Sequence, residues 1–246
     1  QDRKQYGKTY SFEDYDELYQ WSIENGKDFW ELLWVYFKII HSKPYTSIVD
    51  DIHKMPGAKW FSGVRMNFAE NLLRFRDDGI AIIFYGENQI KTEISYKDLY
   101  NRVAHMALFM KGLGVNKGDR VVGYIPNIPE AVIAMLASSA IGAIWSSCSP
   151  DFGIKGVLDR FDQIHPRVLI TSDGYYYKGK TFSLRDKIKE ITNRLDSIEY
   201  VICADYINDK MSSNENFIKW PEVKDQDIEI DFEQMSFSHP LYIMYS

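Results

Sequence analysis

Residues 141–171 read IGAIWSSCSPDFGIKGVLDRFDQIHPRVLIT, and this stretch decides the fold. Ile141 to Trp145 is small and apolar, suited to a buried strand or the run into one. Ser146 to Gly153 holds three serines, Cys148, Pro150, Asp151 and Gly153. That is loop chemistry: Pro fixes φ, Gly permits positive φ, and Ser and Asp bond nearby backbone. Ile154, Val157, Leu158, Phe161 and Ile164 recur at helical spacing and form one apolar face. Pro166 withholds the next amide, so the helix should end near His165. Val168 to Thr171 is β-rich and short enough for a buried parallel strand. The order strand, loop, helix, strand puts the middle loop where open α/β sheets take ligands.

The rest of the chain extends this pattern. Residues 1–10 are polar and read as loose. Ser11 to Ile40 has helical periodicity, broken at Asn25-Gly26 into two helices. Ser42 to Gly57 is connector, and Asn67 with Glu70 marks a helix start. Ile80–Tyr85 and Gln89–Ile94 flank Gly86-Glu87-Asn88 as a β-hairpin. Ser95 with Asp98 opens a helix that stops at Gly112 and Gly114. Arg120–Tyr124 is a strand, and Pro129 and Glu130 begin a helix that is apolar nearly all round. After Thr171 come a loop with Tyr175–Tyr177, a helix over Ser183–Leu195 and a strand over Ser197–Cys203. Residues 205–235 form a polar, acidic excursion, and Leu241–Tyr245 is a last apolar strand. The prediction is α/β: a largely parallel sheet with helices on both faces. A helical cap and connector over residues 1–75 precede the α/β portion, residues 76–246.

Composition narrows the function. A chain of 246 residues with 45% hydrophobic and 26% charged residues is long enough to bury a core. Its net charge of −6 argues against nucleic acid or an anionic membrane as the main partner. Two cysteines make neither a disulfide framework nor a metal site. No run reaches the roughly 18 apolar residues of a membrane span. The opening QDRKQYGKTY lacks the apolar core of a signal peptide, so the expected compartment is the cytoplasm.

Several stretches together carry a family likeness. They are Trp145-Ser-Ser-Cys-Ser-Pro-Asp-Phe-Gly153 with Gly156-Val-Leu-Asp-Arg-Phe161, and Tyr15-Asp-Glu-Leu-Tyr-Gln-Trp-Ser22. To these add Trp60-Phe-Ser-Gly-Val-Arg-Met-Asn-Phe-Ala-Glu-Asn-Leu-Leu73 and Lys117-Gly-Asp-Arg-Val-Val-Gly-Tyr-Ile-Pro-Asn127. In order and spacing the chain resembles, from Ser11 to Ser246, the acyl-CoA synthetase branch of the adenylate-forming enzymes. Within that branch it looks most like the members that activate acetoacetate. The acetate-activating relatives usually carry a glycine-rich loop where Ser149-Pro150-Asp151 stands here.

The resemblance implies an acid–thiol ligase using ATP, Mg²⁺ and coenzyme A, with acetoacetate as the acid. The carboxylate attacks the α-phosphorus of ATP, and the coenzyme A thiol then displaces AMP. Relatives follow the strand matching Leu241–Ser246 with a Ser/Gly/Thr-rich phosphate loop, so Ser246 would begin that loop. The chain then reads as the first part of a longer ligase, an incomplete N-terminal domain without catalytic residues or metal ligands and inactive alone. Lys178 and Lys180 match a basic pair that meets coenzyme A phosphates, although Tyr177 stands where relatives often carry Arg. Ser149, Pro150 and Asp151 align with the loop that approaches coenzyme A. The plainer alternatives are solvated surface lysines, simple turn chemistry and, at Ser246, a strand end.

Other residues invite chemistry with less support. Arg160 could anchor a phosphate, pair with Asp159 or Asp162, or make a helix-capping contact. Cys148 has no activating neighbour in sequence and reads as a small buried residue. His41, His53, His105, His165 and His239 lack ligand spacing. Rival readings are an acetate- or propionate-activating relative and a non-catalytic α/β binding module. A dinucleotide-dependent oxidoreductase ranks low, because no G-x-G-x-x-G follows a strand.

Overall fold

The computed structural model describes residues 3–5, 8–87, 90–209, 217–224 and 228–245. The chain divides into two compact units, residues 1–67 with 234–239 and residues 68–233 with 240–246.

The first unit opens with antiparallel strands β1 (Arg3–Gln5) and β2 (Lys8–Tyr10). The polar composition of residues 1–10 gave no hint of this pairing, which satisfies backbone groups without an apolar run. Helices α1 (Tyr15–Glu24) and α2 (Gly26–Tyr36) part at Asn25, as the sequence predicts. The Asp14 carboxylate caps α1 by accepting from the Glu17 amide at 2.9 Å. Strands β3 (Ser47–Val49) and β4 (Trp60–Ser62) pair antiparallel. Trp34 of α2 stacks on Phe61 of β4 with ring centres 4.7 Å apart, and Tyr45 meets Trp34 edge-on at 5.3 Å. The chain returns to this cluster at residues 234–239. Met235 exchanges backbone hydrogen bonds with Met66 at 2.9 and 3.0 Å, and the Phe237 ring lies 5.0 Å from Phe61. The acidic excursion thus ends as a core-forming segment, which its polar composition hid.

The second unit begins with helix α3 (Phe68–Leu72) and the hairpin β5 (Ile80–Tyr85) and β6 (Lys91–Ser95). The predicted turn residue Asn88, and Gln89 at the expected start of the second strand, lie outside the described residues. Ser95 caps α4 (Tyr96–Gly112) by accepting from the Asp98 amide at 3.0 Å. Then come β7 (Arg120–Tyr124), α5 (Pro129–Ala140), β8 (Ile144–Cys148), α6 (Ile154–Phe161) and β9 (Val168–Ser172). A hairpin of β10 (Gly174–Tyr177) and β11 (Lys180–Ser183) leads into α7 (Arg185–Arg194). Strands β12 (Tyr200–Ala204), β13 (Phe217–Lys219) and β14 (Tyr242–Ile243) complete the described elements.

Six of these strands form one parallel sheet in the order β13-β12-β9-β7-β8-β14. Side chains alternate across it. Val121, Trp145, Val168, Ile170 and Ile202 pack on one face with α4 and α5. Val122, Tyr124, Cys148, Leu169, Val201 and Cys203 pack on the other with α6 and α7. Both faces are covered, which explains why the strands read as continuous apolar runs.

The deciding stretch folds as strand, loop, helix, strand, with two shifts. Ile141–Ala143 belongs to the turn after α5, where Gly142 adopts φ 77° and its amide bonds Ser139 O. Ser146–Cys148, read from sequence as loop, completes β8 instead. Ser146 is buried and donates from its hydroxyl to Ile243 O at 2.7 Å, so a polar residue is satisfied inside the sheet. Downstream, the predicted tyrosine loop is the β10–β11 hairpin. The predicted helical start at Ser183 is the end of β11, because Ser183 pairs with Gly174.

Candidate functional site

Strand β7 leaves its carboxyl end into α5 on one face of the sheet, while its neighbour β8 leaves into α6 on the other. The loops 125–128 and 149–153 therefore diverge, and a crevice at such a point is where open α/β sheets bind ligands. The second loop carries the sequence-predicted Ser149, Pro150 and Asp151.

Ser149 and Asp151 are exposed, while Pro150 is buried. The Ser149 hydroxyl donates to the Asp151 carboxylate at 3.2 Å and the Phe152 amide to Ser149 O at 3.1 Å, closing a tight turn. Two residues from elsewhere hold this loop. The Tyr124 hydroxyl, at the end of β7, lies 3.0 Å from Pro150 O and 3.1 Å from Phe152 O. The Lys187 ammonium, on α7, donates to Pro150 O at 3.0 Å and lies 6.0 Å from the Tyr124 ring centre. Burial, with smaller pushes from Tyr175, Cys148 and Asp151, drives the Tyr124 hydroxyl far above its ordinary range, so it stays a donor.

Lys178 and Lys180 sit at the tip of the β10–β11 hairpin, both exposed. Lys178 and Gly179 have φ of 49° and 72°. Two successive positive φ values make the tight hairpin turn, and Gly179 meets that demand at no steric cost. The Lys178 ammonium lies 5.2 Å from the centre of its neighbour Tyr177's ring. Burial first, and then the Asp151 charge, raise the Tyr175 hydroxyl's pKa. No contact joins Lys178 or Lys180 to Asp151 among the described residues. Ser246 lies outside the described residues.

Arg160 pairs with neither Asp159 nor Asp162 and instead bonds a backbone carbonyl of its own helix. Its guanidinium donates to Gly156 O at 2.8 Å and stands over the rings of Phe152 and Tyr245, 4.7 and 5.8 Å from their centres. Helix geometry explains this, since an (i, i−4) carbonyl is nearer than a carboxylate one or two residues away. Cys148 is buried and its thiol is pushed up by that burial, with Arg160 opposing. His105 is buried, bonding Asn101 O through Nδ1 and accepting from the Lys224 amide at Nε2, which is a packing role. Among the described residues no group of three His, Cys, Asp or Glu could hold a metal ion.

Sequence reasoning missed three residues here. Tyr124 and Lys187 were read only as strand and helix positions, because no local pattern links them to residue 150. Asp173 is fully buried just past β9, and its carboxylate accepts from the amides of Tyr206, Ile207 and Asp209 at 2.7, 2.9 and 2.9 Å. The Asp173-Gly174 pair after a strand was its one available signal.

Sheet topology defines the class first: a doubly wound α/β protein with its candidate site at the carboxyl ends of a parallel sheet. Comparison with known proteins then gives the family. The family described as AMP-binding enzyme matches residues 68–246, and the acetyl-coenzyme A synthetase N-terminus matches residues 15–72. The chain belongs to the AMP-binding enzyme family. It is 39% identical to acetoacetyl-CoA synthetase of Macaca fascicularis, over 96% of this chain and 37% of that protein. It is 40% identical to the Gallus gallus protein of the same name, over 95% and 37%. The solved structure of acetoacetyl-CoA synthetase from Streptomyces lividans superposes with a TM-score of 0.88 at 39% identity, covering 94% of this chain and 36% of that one. The chain thus spans about 37% of the length of the curated relatives it matches.

Proposed function

We propose that this chain forms part of an ATP-dependent acid–coenzyme A ligase that activates acetoacetate. The observation that carries the reading is the 39–40% identity to acetoacetyl-CoA synthetases over nearly the whole chain. The reaction joins two anions in its first half, a carboxylate and the α-phosphate of ATP, so it needs positive charge and fixed amides around the phosphates. The acyl-adenylate then gives its acyl group to the coenzyme A thiol and releases AMP.

Within that scheme the 149–153 loop is the coenzyme A side. Ser149, Pro150 and Asp151 meet the cofactor, while Lys178 and Lys180 attract its phosphates as exposed point charges. The described residues do not fit a protein-built cage for Mg²⁺, which commonly travels with nucleotide phosphates and its own waters. Two buried, unpaired cysteines suit a reducing cytoplasm. None of the described helices is long and apolar enough to cross a membrane.

The test is direct. The whole protein carrying this chain is incubated with ATP, Mg²⁺, coenzyme A and one of acetoacetate, acetate or propionate. AMP, pyrophosphate and thioester are then measured. Acetoacetate should give the highest kcat/KM. A preference for acetate or propionate would move the reading to a sibling ligase, and no acid-dependent AMP from any of them would leave a binding module. The 246 residues alone should catalyse no pyrophosphate exchange.

A further inference from the structure

The loop after β8 differs from an ordinary surface turn in how its backbone is held. Two of its carbonyls, Pro150 O and Phe152 O, face a single phenol hydroxyl from another strand. Tyr124 has one proton to give, shared between acceptors at 3.0 and 3.1 Å, and its ring is wholly buried. Pro150 O also takes a charged donor, Lys187 Nζ, at 3.0 Å. Thr171 on β9 fixes the strand end beneath, donating from its hydroxyl to Tyr124 O at 2.8 Å. The loop is therefore clamped from β7 and from α7 at its middle, while its own Ser149 and Asp151 side chains stay exposed.

Pro150 is buried, so its carbonyl needs a donor from the protein and takes two, while the carbonyl of exposed Phe152, which solvent could satisfy, also faces the Tyr124 hydroxyl. Fixing a loop before its ligand arrives removes the ordering cost from binding. Lys187 adds a second consequence. Helix α7 follows directly on the hairpin that carries Lys178 and Lys180, so its ammonium ties the loop and the basic hairpin's helix into one unit. We propose that Tyr124 and Lys187 are positioning residues: they hold the Ser149–Gly153 loop in its ligand-ready shape, so that coenzyme A meets a preformed surface. The proposal rests on the coenzyme A reading of the loop given above.

Two measurements test it separately from that reading. The first is hydrogen exchange at the Phe152 amide, followed in the whole protein without substrates. Tyr124→Phe and Lys187→Met should each speed exchange about tenfold, while Lys187→Arg, which keeps a cationic donor, should hold it near wild type. Unchanged exchange in both weakened variants overturns the clamp, whatever the protein binds. The second is steady-state kinetics. Lys187→Met should raise the KM for coenzyme A about tenfold, with kcat and coenzyme-independent ATP–pyrophosphate exchange within about twofold of wild type. Lys187→Arg should restore KM. Faster exchange with an unaltered KM overturns the positioning role. Parallel loss of pyrophosphate exchange and thioester formation overturns it too, because it marks a general structural effect. A wild-type protein that forms adenylate but no thioester sinks the coenzyme A reading, and the positioning role with it, while the amide measurement still decides the clamp.

Discussion

The indole of Trp145 lies across Gly123 of the neighbouring strand so closely that a Cβ on the glycine would sit 2.8 Å from two ring carbons. This contact lets a large side chain lie flat on the α4–α5 face of the sheet. It makes Gly123 a packing requirement. Gly123→Ala should cost about 1–3 kcal/mol through overpacking and lower Tm by roughly 2–4 °C per kcal/mol. Thermal unfolding followed by circular dichroism checks this. A Gly123→Ala protein as stable as wild type would mean the indole relaxes freely.

Asp173 should be the most sensitive carboxylate of the second unit. It is fully buried, and both of its oxygens accept from backbone amides of the 206–209 turn. Asn keeps one oxygen and turns an NH₂ group toward the remaining donor. Asp173→Asn should therefore cost about 2–3 kcal/mol, more than an exposed substitution of the same kind. Denaturant unfolding measures it, with Asp205→Asn as the exposed control. Equal costs at the two positions would refute the argument.

Glu229 offers a pH-dependent test. Its carboxylate accepts from the Tyr100 hydroxyl at 2.9 Å and from the Arg76 guanidinium at 2.8 Å, and these hold it below the ordinary carboxyl range, Tyr100 contributing most. Its side chain is 75% exposed, so solvent screens the interaction and Glu229→Gln should cost under ~1 kcal/mol near neutrality. A depressed folded pKa stabilises above the unfolded value and is lost as pH falls through the folded one. The Tm gap between wild type and Glu229→Gln should thus shrink below the ordinary value of 4.5. A gap that widens on acidification would contradict the assignment.

Both cysteines should resist thiol reagents in the folded protein. Cys148 is pushed up by burial, and burial with Asp173 and Asp205 pushes Cys203 up to about 12. At about pH 8 almost no thiolate forms at either site, and access is closed as well. An aromatic disulfide reagent should label neither thiol in native protein and both after denaturation. Rapid native labelling of Cys148 would show that its burial opens on the reagent's timescale.

Much of this fold was written in local patterns. The apolar face gave the start of α6 at Ile154, but the helix ends at Phe161 and a 3₁₀ turn over Asp162–Ile164 fills the stretch up to the predicted stop before Pro166. Ser95 with Asp98 gave the start of α4, and Asn25-Gly26 gave the break between α1 and α2. These are signals within one or two turns of chain, where capping and periodicity operate. The misreadings share an opposite cause. Ser146–Cys148 looked like loop because serine and cysteine favour turns, yet pairing with β7 and β14 overrides that preference. The β10–β11 hairpin escaped because its turn, Lys178-Gly179, lacks the usual Asn or Asp. Of the candidate site, the exposed loop and lysines were legible. The residues that hold the loop were not.

By itself the sequence determined the alternation of strands and helices, the parallel sheet and the family likeness, because periodicity, capping and motif order are local properties of a chain. Only the tertiary structure decided that Tyr124 and Lys187 converge on Pro150 O, that Asp173 ties down residues 206–209 and that Met235 returns to Met66. Each joins residues far apart in sequence. Hydrogen bonds act over about 3 Å, and no local pattern records which distant donors the packing of sheet and helices will bring that close.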